Sequence, residues 1–511
     1  MSSPRIYANG LNLGGVSYWN DDRPLIDCWR LHSTSLSSKG KYDPATGLPT
    51  GEDTQEVYAM LPVDVGGSFS YQYLIDGPML KIRHAGGPSV TPDASGNWPS
   101  FQITRAFNQT GDVQNVMSSS GPIKSLSLIR TDHLAAYNRG EIFNPDLVSL
   151  CRGFSPLRFL DWNVTNSTTA SARRPLPSDP YFSGYTTGGL PAEYAGQLCS
   201  LVGADCWYPC HHLWDDARVL ETLHALDQSL APGLKVILEW SNEFGWNYQA
   251  AWAKTQALAR YPLIPNGTGG MKNSVPNPVQ RYYGYRAGLL AKLAMQVSTT
   301  RFKVTLADQW VAGGKRLPDI IAGWDESGAP RNLIDSHSSA PYYYMPRSDI
   351  TILQGYQASN SIAGVISYFT AAQQKYAGLF ADSVKRAAAY GLEYKVYEHN
   401  QSLYAAAPTI IDQVTRDAFV NWIRPIMFSE DMANITMKNL QDFWNAGGTT
   451  ACFFNSSGYG SQNGFWGATR HVADPVGYPI LGKLRAQNLK AWSQDVGTLL
   501  QRRPASAPNI L

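Results

Sequence analysis

The sequence predicts an α/β fold: a (β/α)8 TIM barrel with a small antiparallel β domain inserted after its first strand. Three observations predict it. The chain has 511 residues, more than one core of about 250–300 residues holds. From residue 130 onward, short apolar runs alternate with segments of helical composition, the rhythm of a parallel sheet with crossover helices. Between residues 45 and 130 the chain is instead rich in Gly, Pro, Ser and Thr. Period-two alternation there, as in Ser68–Leu74, Met79–Arg83 and Ile123–Ile129, marks short antiparallel strands.

The elements follow in chain order. Residues 11–19 read as a first, buried strand, and the β-rich stretch then interrupts the barrel. Seven further runs have strand length: Leu157–Asp161, Leu201–Asp205, Leu234–Glu239, Phe302–Leu306, Leu333–Asp335, Tyr394–Tyr397 and Thr450–Phe454. Helices are predicted near 138–151, 190–200, 214–230, 247–258, 279–297, 361–390, 408–445 and 476–500. Eight strand–helix units close a barrel whose site sits at the strand C-terminal ends. The division is therefore residues 1–35 and 130–500 as the barrel, 40–129 as a β-sandwich-like insertion and 501–511 as a tail.

Composition excludes several classes. A formal charge of +2 without a Lys/Arg block gives no pull toward nucleic acid or anionic membrane. No run of about 18 apolar residues predicts a membrane span, and the first residues lack the apolar segment of a secretory signal. Gly184–Gly189 lacks the lysine of a phosphate loop. No Gly-x-Ser-x-Gly elbow and no glycine-rich turn after the first strand is present. The six cysteines, Cys28, Cys151, Cys199, Cys206, Cys210 and Cys452, read as disulfides or buried thiols. Cys206 and Cys210 lack the second close pair that zinc needs. Asp215 and Asp216 beside His211 and His212 fit helix capping as well as metal binding.

Aromatic residues make up 12% of the chain. They furnish cores, and they also suit a cleft for sugars, whose C–H faces pack on rings. Two strand ends carry the chemistry. One apolar run leads into Ser241-Asn242-Glu243, and another delivers Glu398 followed by His399, Asn400 and Gln401. Three strands apart in a closed barrel, these ends face each other across the mouth. Glycoside cleavage needs such a pair, one carboxylic acid for the leaving oxygen and one carboxylate for the anomeric carbon. Glu239 lies still within its strand, where it suits an ion pair with Arg158. Tryptophans at candidate strand ends, among them Trp246 and Trp310, are candidates to line the cleft.

With Asn242-Glu243 ending the fourth strand and Glu398 the seventh, the sequence resembles the clan A glycoside hydrolases, the four-seven barrels. Leu157–Trp162, Asp205–Pro209, Glu239–Glu243 and Tyr397-Glu398 look more narrowly like bacterial cellulose-binding or cellulase-like proteins with an added β domain. The resemblance implies that Glu243 is the acid/base and Glu398 the nucleophile of a retaining hydrolase acting on a β-linked polysaccharide. It implies that Arg158 supports the nucleophile, and that His212, His337 and Tyr342 lie near substrate or nucleophile. It also implies that Trp466 forms a sugar platform. No cofactor is expected, the partner is a polysaccharide or oligosaccharide, and the substrate class implies an extracellular or periplasmic setting. The rival reading is a non-catalytic carbohydrate-binding protein on the same barrel.

Overall fold

The computed structural model describes residues 8–15, 22–31, 33–34, 42–43, 48, 50, 57–84, 89–106, 112–170, 173–178, 188–244, 249–268, 270–309, 314–403, 412–474 and 476–494. Eight parallel strands close a barrel, as the sequence predicted. In order around the ring they are β1 (Asn9–Asn12), β2 (Leu157–Arg158), β3 (Cys206–Cys210), β4 (Val236–Trp240), β5 (Phe302–Ala307), β6 (Ile334–Ser339), β7 (Glu393–His399) and β8 (Ala451–Phe453). β8 returns to β1, with Asn9 opposite Ala451 and Leu11 opposite Phe453.

Each strand is wholly or largely buried on both faces, as expected when helices cover a parallel sheet. The core gathers Leu11, Leu157, Trp207, Val236, Leu238 and Val304 from the strands, with Leu198, Leu223 and Leu290 from the helices. Gly10 carries no side chain for a steric reason. A Cβ there would lie 2.5 Å from the Pro156 carbonyl and 2.6 Å from Cys452 Sγ. The six cysteines are buried free thiols.

The third strand differs from the expectation. Leu201 and Val202 end the helix Ala192–Val202, and Leu201 is 48% exposed. Gly203 at φ 74° turns the chain there, its N–H bonded to the Cys199 carbonyl, a left-handed helix stop. The strand begins only at Cys206. An apolar pair on the last turn of a helix carries the same local signal as a strand. The predicted first strand is likewise shorter, and residues 16–19 of it lie outside the described residues.

Two helical segments each divide in two. One gives Ile362–Ala377 and Phe380–Ala388, the other Gln413–Met427 and Glu430–Asn445, where Ser429 caps the second helix. The helices Leu317–Ser327 and Ile350–Ala358 were not foreseen. The first of these packs against Pro278–Val297 through glycine. A Cβ on Gly284 would lie 1.8 Å from the Ile320 carbonyl, and one on Gly323 the same distance from the Arg281 carbonyl. Only bare backbone lets these two helices approach so closely.

Between β1 and β2 the chain builds two antiparallel sheets. The larger runs Ser33–Thr34, Val57–Pro62, Asp112–Ser119, Met79–His84 and Ser89–Val90 in spatial order. The smaller places Gly67–Asp76 between Phe101–Arg105 and Ser125–Arg130. Tyr71, Tyr73, Ile82, Trp98, Met117 and Leu128 fill their common core. Charges tie this unit to the barrel. Arg130 bonds Asp64 at 3.2 Å and Asp146, on a barrel helix, at 2.7 Å.

Candidate active site

The site grows from the C-terminal ends of the strands. β4 is buried through Trp240, and then the backbone leaves the strand abruptly. Ser241 at φ 60° and Glu243 at φ 43° occupy the left-handed region, at a cost of roughly 1–2 kcal/mol for each non-glycine residue. This double turn separates Asn242 from Glu243. Asn242 Oδ1 accepts from Arg158 Nη2 at 2.8 Å, and its Nδ2 donates to Asn166 Oδ1 at 3.2 Å. Gln249 Nε2 holds the Asn242 carbonyl at 2.9 Å. Glu243 has no side-chain hydrogen-bond partner among the described residues.

Arg158, the last residue of β2, is fully buried and binds four side chains. Its Nε and Nη2 grip the two oxygens of Glu239 at 3.1 and 3.0 Å. Its Nη1 donates to Glu398 Oε1 at 2.6 Å and to Asn12 Oδ1 at 2.9 Å. Its Nη2 also reaches Asn242, and the guanidinium lies 4.7 Å from the Tyr397 ring centre. A planar fork with five N–H donors suits this task, and a point-charge ammonium does not. Trp207 Nε1 supplies Glu239 with a further donor at 2.8 Å. The second oxygen of Glu398 accepts from the Tyr342 hydroxyl at 3.0 Å. Burial and the nearby Glu398 charge push the Tyr342 phenol well up, so it keeps its proton and donates.

These contacts account for the protonation of Glu243. One guanidinium serves two carboxylates, Glu239 and Glu398. A third anion in the same dry mouth is therefore costly. Burial, and next the Glu398 charge, push Glu243 up to about 8 against the opposing pull of Arg158. Burial and Glu398 also push Asp161 up to about 7. At neutral pH the mouth thus holds a carboxylic acid, Glu243, on the end of β4, and Glu398, with a donor on each oxygen, on the end of β7. The arrangement can donate a proton from one side and attack from the other.

The other predicted residues are placed as follows. Tyr342 and Asn242 join the Arg158 cluster. Trp466 is half-buried in the loop after β8. Its Nε1 donates to the Gln401 carbonyl at 3.1 Å, and its ring stands edge-on to Phe454 at 5.6 Å. Phe454 in turn packs edge-on against Tyr342 at 6.3 Å, so two rings, Phe454 and Tyr342, stand between Trp466 and Glu398. His337 is fully buried within β6, tilted against Tyr394 at 5.7 Å, and neither ring nitrogen finds a partner among the described residues. His212 lies outside the carboxylate cluster, stacked on His211 at 4.5 Å. Trp246 and Trp310 fall outside the described residues.

Sequence reasoning missed Asn12, which ends β1. It accepts from Arg158 and donates to the Tyr397 carbonyl at 2.8 Å, linking β1, β2 and β7. Its signal was a lone polar residue between Leu11 and Leu13 in a buried strand. Trp207, whose indole N–H holds Glu239, is a further support that the sequence did not single out. Asp308, just after β5, was also missed. Burial pushes it up to about 7, and Oδ2 has no hydrogen-bond partner among the described residues.

No family model matches the chain, and no curated protein matches it. Among solved structures, the barrel is similar to a 4-O-α-L-rhamnosyl-β-D-glucuronidase from Fusarium oxysporum, at 11% identity and a TM-score of 0.39 over 65% of this chain. The match spans 61% of that enzyme's length. It is also similar to the endo-1,4-β-D-xylanase 10B of Clostridium thermocellum, at 12% identity and a TM-score of 0.36, covering 95% of this chain and 97% of the other. A third likeness is to an endo-β-1,4-mannanase of Cellulomonas fimi, at 10% identity and a TM-score of 0.32, over 62% of each chain.

Proposed function

We propose that this protein is a retaining glycoside hydrolase that cleaves a β-linked polysaccharide. The observation that carries the reading is the unequal treatment of two glutamates at one barrel mouth. Glu398 has a donor on each oxygen, whereas Glu243 has none among the described residues and is pushed up to about 8. A carboxyl group held protonated, opposite one bound by donors on both oxygens, supplies the two working parts of glycoside cleavage.

In the first step Glu398 attacks the anomeric carbon. The bond to the glycosidic oxygen breaks, and Glu243 passes its proton to that oxygen. The product is a glycosyl ester on Glu398 plus the free leaving sugar. Glu243, now ionised, takes a proton from water as that water attacks the same carbon. The ester breaks, Glu398 leaves as a carboxylate, and the configuration is retained. Arg158 and Tyr342 hold the Glu398 carboxylate in place through both half-reactions. Trp466, half-buried in the loop after β8, offers a ring for a sugar to stack on.

The test is a panel of β-glucans, xylans and mannans, followed by NMR of the first-formed anomer and trapping with 2-deoxy-2-fluoro aryl glycosides. The expected results are a β product and a covalent label on Glu398. An α product, or a label on another residue, overturns the mechanism. Binding of a glycan that is never cut would establish the non-catalytic reading instead.

A further inference from the structure

A groove of about 620 Å³, distinct from the carboxylate cluster, opens beside β3 and β4. His212 lines it from the turn after β3, Trp252 and Gln256 from the helix Ala250–Arg260, Tyr282 and Arg286 from the helix Pro278–Val297, and Asp216 from the helix Asp216–Ser229. Its aromatic lining, Trp252 and Tyr282, packs on the residue that follows Glu243 in the chain. Phe244, which is buried, packs edge-on against Trp252 at 6.0 Å and tilted against Tyr282 at 6.2 Å. The Arg286 guanidinium lies 4.4 Å from the ring centre of Trp240, the last residue of β4.

The lining has the character of a polyol site. Trp252 is partly exposed and stands edge-on to His212 at 4.9 Å. His212 is 4% exposed, yet its Nδ1 finds no partner among the described residues. Burial pushes this imidazole down to about 4, so it is neutral, with one donor and one acceptor nitrogen. Arg286 Nε is also buried without a hydrogen-bond partner among the described residues, and its Nη2 stands 3.8 Å from Asp216, beyond hydrogen-bond reach. An apolar guest would leave these groups unpaired, which is costly. An anion would meet Asp216 and a cation would meet Arg286. A neutral ring with hydroxyls on its rim and a C–H face suits all of them.

We propose that this groove binds a neutral sugar residue of the leaving-group part of the substrate, stacked on Trp252 and hydrogen-bonded by Gln256, Asp216 and Arg286. The assignment to the leaving-group side rests on the hydrolase reading, and on the packing of Trp252 and Tyr282 against Phe244, the residue that follows Glu243.

The test uses the full chain with hexasaccharides of β-1,4-linked glucose, xylose and mannose, and with p-nitrophenyl glycosides whose short leaving group does not reach the groove. Trp252→Ala should raise KM for the cleaved hexasaccharide about tenfold, Gln256→Ala should raise it less, and Trp252→Phe should restore part of the loss. For each variant the loss on the hexasaccharide should far exceed that on the p-nitrophenyl glycoside. Calorimetry on the Glu398→Gln protein, with and without Trp252→Ala, reads binding apart from turnover. If hexasaccharide binds through Trp252 but wild type cleaves nothing, the hydrolase reading fails and the groove stands as a sugar site. If cleavage depends on Glu398 while the Trp252 and Gln256 variants keep wild-type KM and affinity, the groove proposal is overturned alone. Stronger binding of a uronic-acid oligosaccharide, or no binding of any hexasaccharide at millimolar concentration, also overturns it.

Discussion

At the end of β7, Glu398 has a donor on each oxygen, Arg158 at 2.6 Å and Tyr342 at 3.0 Å. At the end of β4, Glu243 sits on a left-handed turn with no side-chain donor among the described residues. The two side chains are chemically identical, and the barrel gives them opposite surroundings. The difference teaches that the role of each is set by donors arriving from other strands. Arg158 comes from β2 and Tyr342 from the segment after β6. Arg158 favours one side of the mouth, and its commitment to Glu239 and Glu398 leaves Glu243 to hold a proton.

This contrast can be broken in graded steps. Glu398→Gln removes the attacking oxygen and should bring turnover to background with fold and melting temperature kept, as circular dichroism and calorimetry would show. Residual turnover with retained configuration would mean that another group attacks.

Glu243→Gln should lower kcat on polysaccharide by about 10²–10⁴-fold, the usual range for a lost general acid. The loss should be much smaller for the first step on aryl glycosides, whose leaving group needs no proton. An equal loss on both substrates would show that Glu243 does not act as the acid.

Arg158→Met leaves Glu239 and Glu398 buried without their cation. Breaking such a cluster costs about 3–5 kcal/mol, readable as a lower urea midpoint. Glu398 also loses the donor on one of its oxygens, so activity should fall with stability. If stability fell but kcat did not, Arg158 would be scaffold alone.

Tyr342→Phe deletes one donor to Glu398 and should lower kcat about tenfold, the equivalent of roughly 1–1.5 kcal/mol for one hydrogen bond. The melting temperature should hardly move.

The smallest effect is one of pH. Activity should decline as pH rises through about 8, where Glu243 loses its proton. Its ordinary value is 4.5 and its folded value is higher, so the folded state favours the protonated form. The stability contributed by Glu243 is full below pH 4.5 and is lost as pH rises toward 8. Glu243→Gln should therefore melt a few degrees above wild type at pH 8 and match it below pH 4.5. Parallel melting curves across that window would contradict the raised value.

Some elements were legible because they depend on local pattern. The apolar runs of β4, β5 and β7 were placed within two residues of where they lie. Alternation between turns announced the inserted sheets. β3 was misplaced because an apolar pair ending a helix looks like a strand until the glycine stop is seen. The helix Leu317–Ser327 was overlooked although Pro318 near its start and Gly328 just past its end mark its bounds.

The sequence by itself determined the barrel, because periodicity and burial of apolar runs are read along the chain. It also placed two glutamates at strand ends, because a strand end is a local event. Only the tertiary structure decided what those glutamates are. Asn12, Arg158, the strand end that carries Glu239 and Asn242, and Glu398 are far apart in sequence and meet because their strands converge at one mouth. A proton's affinity for a carboxylate depends on charges and donors within a few ångströms and on the water excluded around it. Those distances exist only after the barrel closes.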